Sequence, residues 1–185
     1  KGFMTSKVKQ FDAMWHAPVF LILLLCIFQS AAADQTAPKK EYRRIVSLAP
    51  SITEALFLLQ KEQSLVGVTK YCTFPATAKK KTSVGDVLKP DLESIISLSP
   101  DLVLTTREIN SEQTIARLSQ LGLNTHTFSM RRNFADMTQE LKLLGDLLNQ
   151  TKLALEIVQS AERSLLEISS KLKSASKPTL FWQVE

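Results

Sequence analysis

A short apolar run, stopped by proline and passing at once into a helical pattern, restricts the fold of this chain more than any other feature. Residues 43–59 read R-R-I-V-S-L-A-P-S-I-T-E-A-L-F-L-L. Ile45, Val46 and Leu48 form a β-rich run, and Pro50 ends it because proline offers no N–H to a ladder and restricts the residue before it. The pattern predicts a strand ending at Ala49. Ser51, with Glu54 three residues on, has the form of a capping box: the hydroxyl accepts from an amide near Glu54 and the carboxylate reaches back to the Ser51 N–H. A helix is therefore expected from Ser51 to Gln60. Strand-to-helix turns of this kind lie at the carboxyl edge of an open α/β sheet, where helix N-termini offer free amides to ligands. The functional site is expected near Pro50 and Ser51.

The same alternation continues. Leu65 to Val68 reads as a second short strand, followed by a long loop from Thr69 to Lys89 that contains Pro75, Gly85 and three consecutive lysines; loops of that length in compact domains are often functional. Asp91 to Leu98 carries Leu92, Ile95, Ile96 and Leu98 at near-helical spacing, closed by Pro100. Leu102 to Thr105 is a third strand. Asn110 is expected to cap a helix bearing Ile115, Leu118 and Leu121 on one face, with Gly122 at its C′ position. Asn124 to Phe128 is a fourth strand, and Asn133 opens a helix with Met137, Leu141, Leu144 and Leu148 inward. Strand and helix alternate throughout, which predicts an α/β fold with a parallel sheet flanked by helices on both faces. Residues 151–174 differ. Ala154, Ile157, Val158, Ala161, Leu165, Ile168 and Leu172 make a 3.6-period stripe along a helix of roughly 36 Å at 1.5 Å per residue. Lys177-Pro178 breaks it, and Thr179 to Val184 begins a further strand.

The first 33 residues do not belong to this pattern. Lys7 and Lys9 precede an apolar run from Pro18 to Phe28, and Ala31-Ala32-Ala33 follows, the three parts of a secretory leader. The run is well short of the roughly 20 residues needed to span a bilayer. Leu25 stands before Cys26 where a lipoprotein signal wants a small residue, so cleavage near Ala33 is expected rather than acylation. The chain carries +5 at neutral pH, but removing Lys1, Lys7, Lys9 and Asp12 with the leader leaves 20 basic and 17 acidic side chains, a net +3. The cluster Lys79-Lys80-Lys81 reads as a solvated loop, and no nucleic-acid partner is expected. Cys72 is then the one remaining cysteine of this stretch, a free thiol by default.

Four segments in this order carry a resemblance: R-I-V-S-L-A-P-S-I-T-E (44–54), L-V-G-V-T-K-Y-C-T-F-P (65–75), V-G-D-V-L-K-P-D-L-E-S-I-I-S-L-S-P-D-L-V-L (84–104), and the long helix after Thr151. The chain resembles the ABC-transporter substrate-binding proteins of the iron-siderophore, haem and cobalamin type over about residues 43–185. The resemblance implies two α/β lobes joined by one long helix, with a metal chelate held in the cleft between them. It divides the chain into a signal peptide (1–33), a flexible mature N-terminus (34–42), an N-terminal lobe (43–150), a bridging helix (151–176) and the start of a second lobe (177–185). It implies a periplasmic or secreted location and an ABC permease as membrane partner. It also implies a ligand face made of Pro50 and Ser51, Tyr71 and Phe74, Asp86 and Val87, and Thr106 and Arg107. On chemical grounds Tyr71 and Phe74 suit stacking on a flat macrocycle, and Arg107 suits a negative group on the chelate. In this family the glutamate at the position of Glu93 pairs with permease arginines, and P-D-L-E places it in the first turn of a short helix.

Departures from the family narrow the ligand. Cobalamin binders carry tryptophans where this chain has Val87 and Thr106, and Thr73 replaces an acidic residue, which points away from cobalamin. His126 lies in a strand-like T-H-T-F run and reads as structural, and Cys72 with His126 falls short of the three or four ligands a zinc site needs. No G-x-S-x-G, H-E-x-x-H, CxxC or phosphate loop is present, so the chain is read as a binding protein without a catalytic site or resident cofactor. The alternatives kept open are a chelatase-like enzyme on a related two-lobed fold and a secreted sensor or interaction domain.

Overall fold

The computed structural model describes residues 39–129 and 131–173, together with Thr179. The expected leader lies outside them, as does the expected final strand apart from Thr179. Five strands form one sheet: β1 (Ile45–Ser47), β2 (Leu65–Val68), β3 (Thr82–Ser83), β4 (Leu102–Thr106) and β5 (Thr125–Phe128). All neighbours pair in parallel, in the order β3-β2-β1-β4-β5. The helices between and after them are α1 (Pro50–Leu58), α2 (Leu92–Ser97), α3 (Glu112–Gln120), α4 (Phe134–Leu147) and α5 (Thr151–Leu172), and a 3₁₀ segment spans Ala76–Lys80.

The alternation of side chains along the strands sorts the core into two layers, since successive residues of a strand point to opposite faces. Ile45, Leu102 and Leu104 point one way and pack with Ile52 and Leu56 of α1, Leu144 of α4 and Ala154 of α5. Val46, Leu48 and Val103 point the other way and meet Ile95 of α2 and Leu118 of α3. Both faces are thus covered, which suits the central strands β1 and β4, buried at every position. Tyr42, within the expected N-terminal tail, packs against the first layer.

Local differences from the sequence reading have identifiable causes. α1 starts at Pro50, whose fixed φ suits the first helical position, so Ala49 becomes the N-cap and no side chain caps the helix. Ser51 then sits inside the first turn, and the expected capping box with Glu54 does not form. β3 interrupts what reads as loop, held by backbone pairing of Gly67 with Thr82 and Val68 with Ser83. Ser111 rather than Asn110 caps α3, its hydroxyl accepting from the Thr114 N–H at 3.1 Å. Asn133 does cap α4, accepting from the Asp136 N–H. Gly122 follows α3 at φ +73°, the left-handed conformation that a helix C-terminus favours for glycine.

Three helices bury less than their stripes suggest. Ile96 is 46% exposed on α2 and Met137 52% exposed on α4, so neither faces the sheet as expected. In α5, Ala154 and Val158 are buried, but Leu165, Ile168 and Leu172 are exposed. Only the first half of that 22-residue helix packs on the lobe. At the α4–α5 contact Gly145 is essential to the approach, because a methyl group there would overlap the Cβ of Ala154.

Candidate functional site

In a parallel sheet every strand ends at the same edge, and here five turns leave that edge. β1 and β4 are neighbours at the centre of the sheet, yet the helices that follow them cover opposite faces: α1 packs in the first layer and α3 in the second. The two connections therefore diverge, opening the crevice in which open α/β sheets bind ligands. Pro50 and Ser51 stand on one side of it and Arg107 on the other.

Cross-braces between the turns fix the surface. Asn110, 4% exposed, donates from Nδ2 to the carbonyls of Leu48 at 3.1 Å and Val87 at 2.8 Å, and its Oδ1 accepts from the Thr106 N–H at 2.9 Å. One amide thereby joins the turns after β1, β3 and β4. Lys70 joins the turns after β2 and β3: its ammonium lies 2.7 Å from Asp86 Oδ2 and 5.0 Å from the centre of the Tyr71 ring, and its N–H donates to Gly85 O. The bond from Lys70, seconded by the Leu88 N–H on Oδ1, holds the Asp86 carboxyl below its ordinary range.

Arg131 braces the remaining side. Its Nη2 donates to Ser51 Oγ at 2.8 Å and to Glu108 Oε2 at 2.6 Å, while its backbone N–H and Nε both donate to Glu108 Oε1. Glu140 of α4 approaches Nε to 3.3 Å. The side-chain bond from Arg131 lowers the Glu108 carboxyl. Burial pushes Glu140 upward, with Arg131 pulling down and Glu108 adding to the rise. A cavity of about 350 Å³ opens beside this cluster, between β5 and α4, bordered by His126, Phe128, Arg132 and Leu143. His126 packs edge-on against Phe128 with ring centres 4.7 Å apart, and burial lowers its pKa.

The sequence-predicted residues fare unequally against this geometry. Tyr71 and Phe74 are 50% and 67% exposed, two aromatic rings turned to solvent from the loop after β2. Val87 lies half-buried with its carbonyl held by Asn110. Thr106 is fully buried, and its hydroxyl accepts from the Glu108 N–H, so its place is under the surface rather than on it. Arg107 is half-exposed and paired with Glu112. Asn110, Glu108 and Arg131 were not anticipated. The signal for Asn110 was a polar residue directly after T-T-R-E-I, readable equally as a cap; for Arg131 it was the R-R pair after the last strand. Among the described residues no group of three or more His, Cys, Asp or Glu is placed to hold a metal. Cys72 is buried, with its sulfur 3.1 Å from Thr53 Oγ1 and 3.2 Å from Thr69 Oγ1.

Residues 45–185 match the model of the family described as periplasmic binding protein. The chain belongs to the periplasmic binding protein family. As a member, it is 35% identical to the uncharacterized ABC transporter substrate-binding lipoprotein YvrC of Bacillus subtilis, over 80% of this chain and 47% of that one. It is 26% identical to a vitamin B12-binding protein of Vibrio vulnificus, over 87% of this chain and 57% of that one. Among solved structures, the periplasmic haem-binding protein of Pseudomonas aeruginosa superposes with a TM-score of 0.68 at 27% identity, over 74% of this chain and 50% of that one. This periplasmic binding protein thus spans about half the length of the curated relatives it matches. The α/β fold expected from the sequence, a parallel sheet with helices on both faces, is the fold of these neighbours.

Proposed function

We propose that this chain supplies one wall of the ligand cleft in a substrate-binding component of an ABC importer, which captures a metal chelate and delivers it to a membrane permease. The observation that carries this reading is that two exposed aromatic rings, Tyr71 and Phe74, follow β2, the neighbour of β1, at the sheet edge where the turns are braced by Asn110, Lys70 and Arg131. Such a surface binds a flat or macrocyclic face and offers no nucleophile or acid-base pair for catalysis. Pro50, Ser51, Asp86, Val87 and Arg107 frame it, with Thr106 beneath. The second wall belongs to a second lobe reached through α5. Export follows from the leader, with cleavage after Ala33 and Asp34 as first residue of the mature protein, and Glu93, exposed in the first turn of α2, makes the contact with the permease.

The test is calorimetric titration of the full-length protein with ferric siderophores, haem and corrinoids. At least one chelate binds, and Tyr71→Ala and Phe74→Ala each weaken it about tenfold, the worth of one aromatic contact. Binding that is unchanged in the double variant, or absent for every chelate, overturns the reading.

A further inference from the structure

The rim of the crevice looks cationic in sequence, with Lys70, Arg107, Arg131 and Arg132 all standing in the turns that leave the carboxyl edge. In the structure three of the four are held closely by carboxylates, and the fourth, Arg132, stands exposed with one nearby. Lys70 lies 2.7 Å from Asp86, Arg107 is paired with Glu112, Arg131 lies 2.6 Å from Glu108 and 3.3 Å from Glu140, and Arg132 lies 3.7 Å from Asp136. Four cations face five carboxylates, a formal balance of −1. Glu54, exposed one turn into α1, adds a further carboxylate. Lys89 does not redress the balance: it lines a different groove of about 440 Å³, with Leu88, Pro90 and Arg117, toward α3.

A polyanionic ligand needs cations free to meet it, and taking one from an existing pair leaves the displaced carboxylate to be solvated again. The aromatic rings make no such demand, since stacking is indifferent to the ligand's net charge. Lys70 itself illustrates the division of labour, with its ammonium paired to Asp86 and lying 5.0 Å from the centre of the Tyr71 ring. Arg107 is half-exposed and Glu112 is itself exposed, so that pair is open to solvent and one substitution at Glu112 releases the guanidinium.

We infer that, within the ligand-capture reading on which this rests, the surface selects chelates of little or no net charge, read by Tyr71 and Phe74, and rejects polyanionic ones. Neutral or singly charged ferric trihydroxamates fall in the accepted class; uncharged corrinoids meet the charge criterion, although this chain has Val87 and Thr106 where cobalamin binders carry tryptophans. Ferric tricatecholates, with three negative charges, fall outside it.

The experiment titrates full-length protein with a ferric trihydroxamate, cyanocobalamin and a ferric tricatecholate across a salt series, for the wild type and Glu112→Gln. An uncharged or singly charged probe binds most tightly, and its Kd changes less than about twofold between about 50 and 500 mM NaCl, since screening has little charge to act on. Glu112→Gln frees Arg107 and raises tricatecholate affinity about tenfold, as expected for one charge meeting three near the surface, while the uncharged probe binds as before. A wild-type protein that binds the tricatecholate as tightly as the uncharged probes, or a Glu112→Gln variant with unchanged selectivity, overturns the inference and leaves ligand capture standing. A cooperatively folded protein that binds none of the probes overturns the capture reading itself, and this inference with it.

Discussion

Replacing Asn110 with alanine separates two accounts of one residue. As a helix N-cap, its loss would cost about 1 kcal/mol. The structure instead gives Asn110 three hydrogen bonds to backbone groups: the Thr106 N–H at 2.9 Å, Leu48 O at 3.1 Å and Val87 O at 2.8 Å. Alanine leaves the first two buried without their partner, and a buried polar group so stranded costs about 1–3 kcal/mol. Val87 is only half-buried, and water takes over part of its bond. The expected total is about 3–5 kcal/mol, a large share of the roughly 5–15 kcal/mol that stabilises a typical domain. At roughly 2–4 °C per kcal/mol for a chain of this size, the midpoint falls by about 6–20 °C. Urea denaturation of wild type, Asn110→Ala and Ser111→Ala measures it, with Ser111→Ala as the true cap losing about 1 kcal/mol. Because the amide also ties together the turns after β1, β3 and β4, chelate affinity falls with stability. A loss no greater than that of Ser111→Ala, with an unchanged slope on denaturant, would refute the bridging argument.

Gly145→Ala loses about 1–3 kcal/mol by forcing α4 from α5, despite alanine's better helix propensity, and the added change Ala154→Gly restores the melting temperature; failure of that rescue would place the strain elsewhere. The Arg131 cluster gives opposite pH behaviour at its two carboxylates. The folded value of Glu108 is lowered, so its stabilisation is present above the ordinary carboxylate range and is lost as pH falls through the lowered value; Glu108→Gln melts below wild type at neutral pH, and the gap closes in acid. Glu140 is raised chiefly by burial, so its ionised form costs stability above that raised value; Glu140→Gln melts at or above wild type at neutral pH, and the two converge as pH falls, whereas a lower melting point throughout would show Glu140 to be a net stabilising partner of Arg131. Glu93→Lys in the full-length protein abolishes permease binding and transport, a loss of about 2–5 kcal/mol at an interface, with melting temperature and chelate affinity unchanged; normal transport with a lowered melting temperature would make the charge structural.

What the sequence conveyed well is what hydrophobic burial dictates. β2 and the first three residues of β4 are short apolar runs between polar or proline-bearing segments, and they were readable because strands covered on both faces are rich in apolar residues; the expected end of β4 at Thr105 falls one residue short of Thr106. β3 was not readable because its two residues, Thr82 and Ser83, are exposed at the sheet edge and are held by backbone pairing, which has no side-chain signature. Ser51 shows a local motif losing to a stronger local rule. Proline at the first helical position moved the start by one residue, and the freed hydroxyl accepts from Arg131, 80 residues away. That distance is also why no local pattern encodes the braces: Asn110 with Leu48 and Arg131 with Ser51 are contacts between turns, made only after the sheet brings five strand ends to one edge. Met137 and Ile96 failed for further reasons. Met137 lies at the start of its helix, and how far along a helix its neighbour extends depends on packing that periodicity does not record; Ile96 lies about 100° around the axis from fully buried Ile95, outside an arc narrower than the stripe.

The uneven seating of α5 gives one helix two stabilities. Over its first turns the amides are shielded by buried Ala154 and Val158, and they exchange with solvent only when the packing against α4 opens. Past Ala161 the side chains are exposed, and in the described part of the lobe those turns draw on helical hydrogen bonds and on pairs such as Lys171 with Glu167 at 2.7 Å. Short unsupported helical segments are marginal in water. Deuterium uptake along α5 should therefore rise from its start toward Leu172 as a graded ramp. Whatever packs against the outer turns in the assembled protein would flatten that ramp, turning the helix into its own gauge of docking.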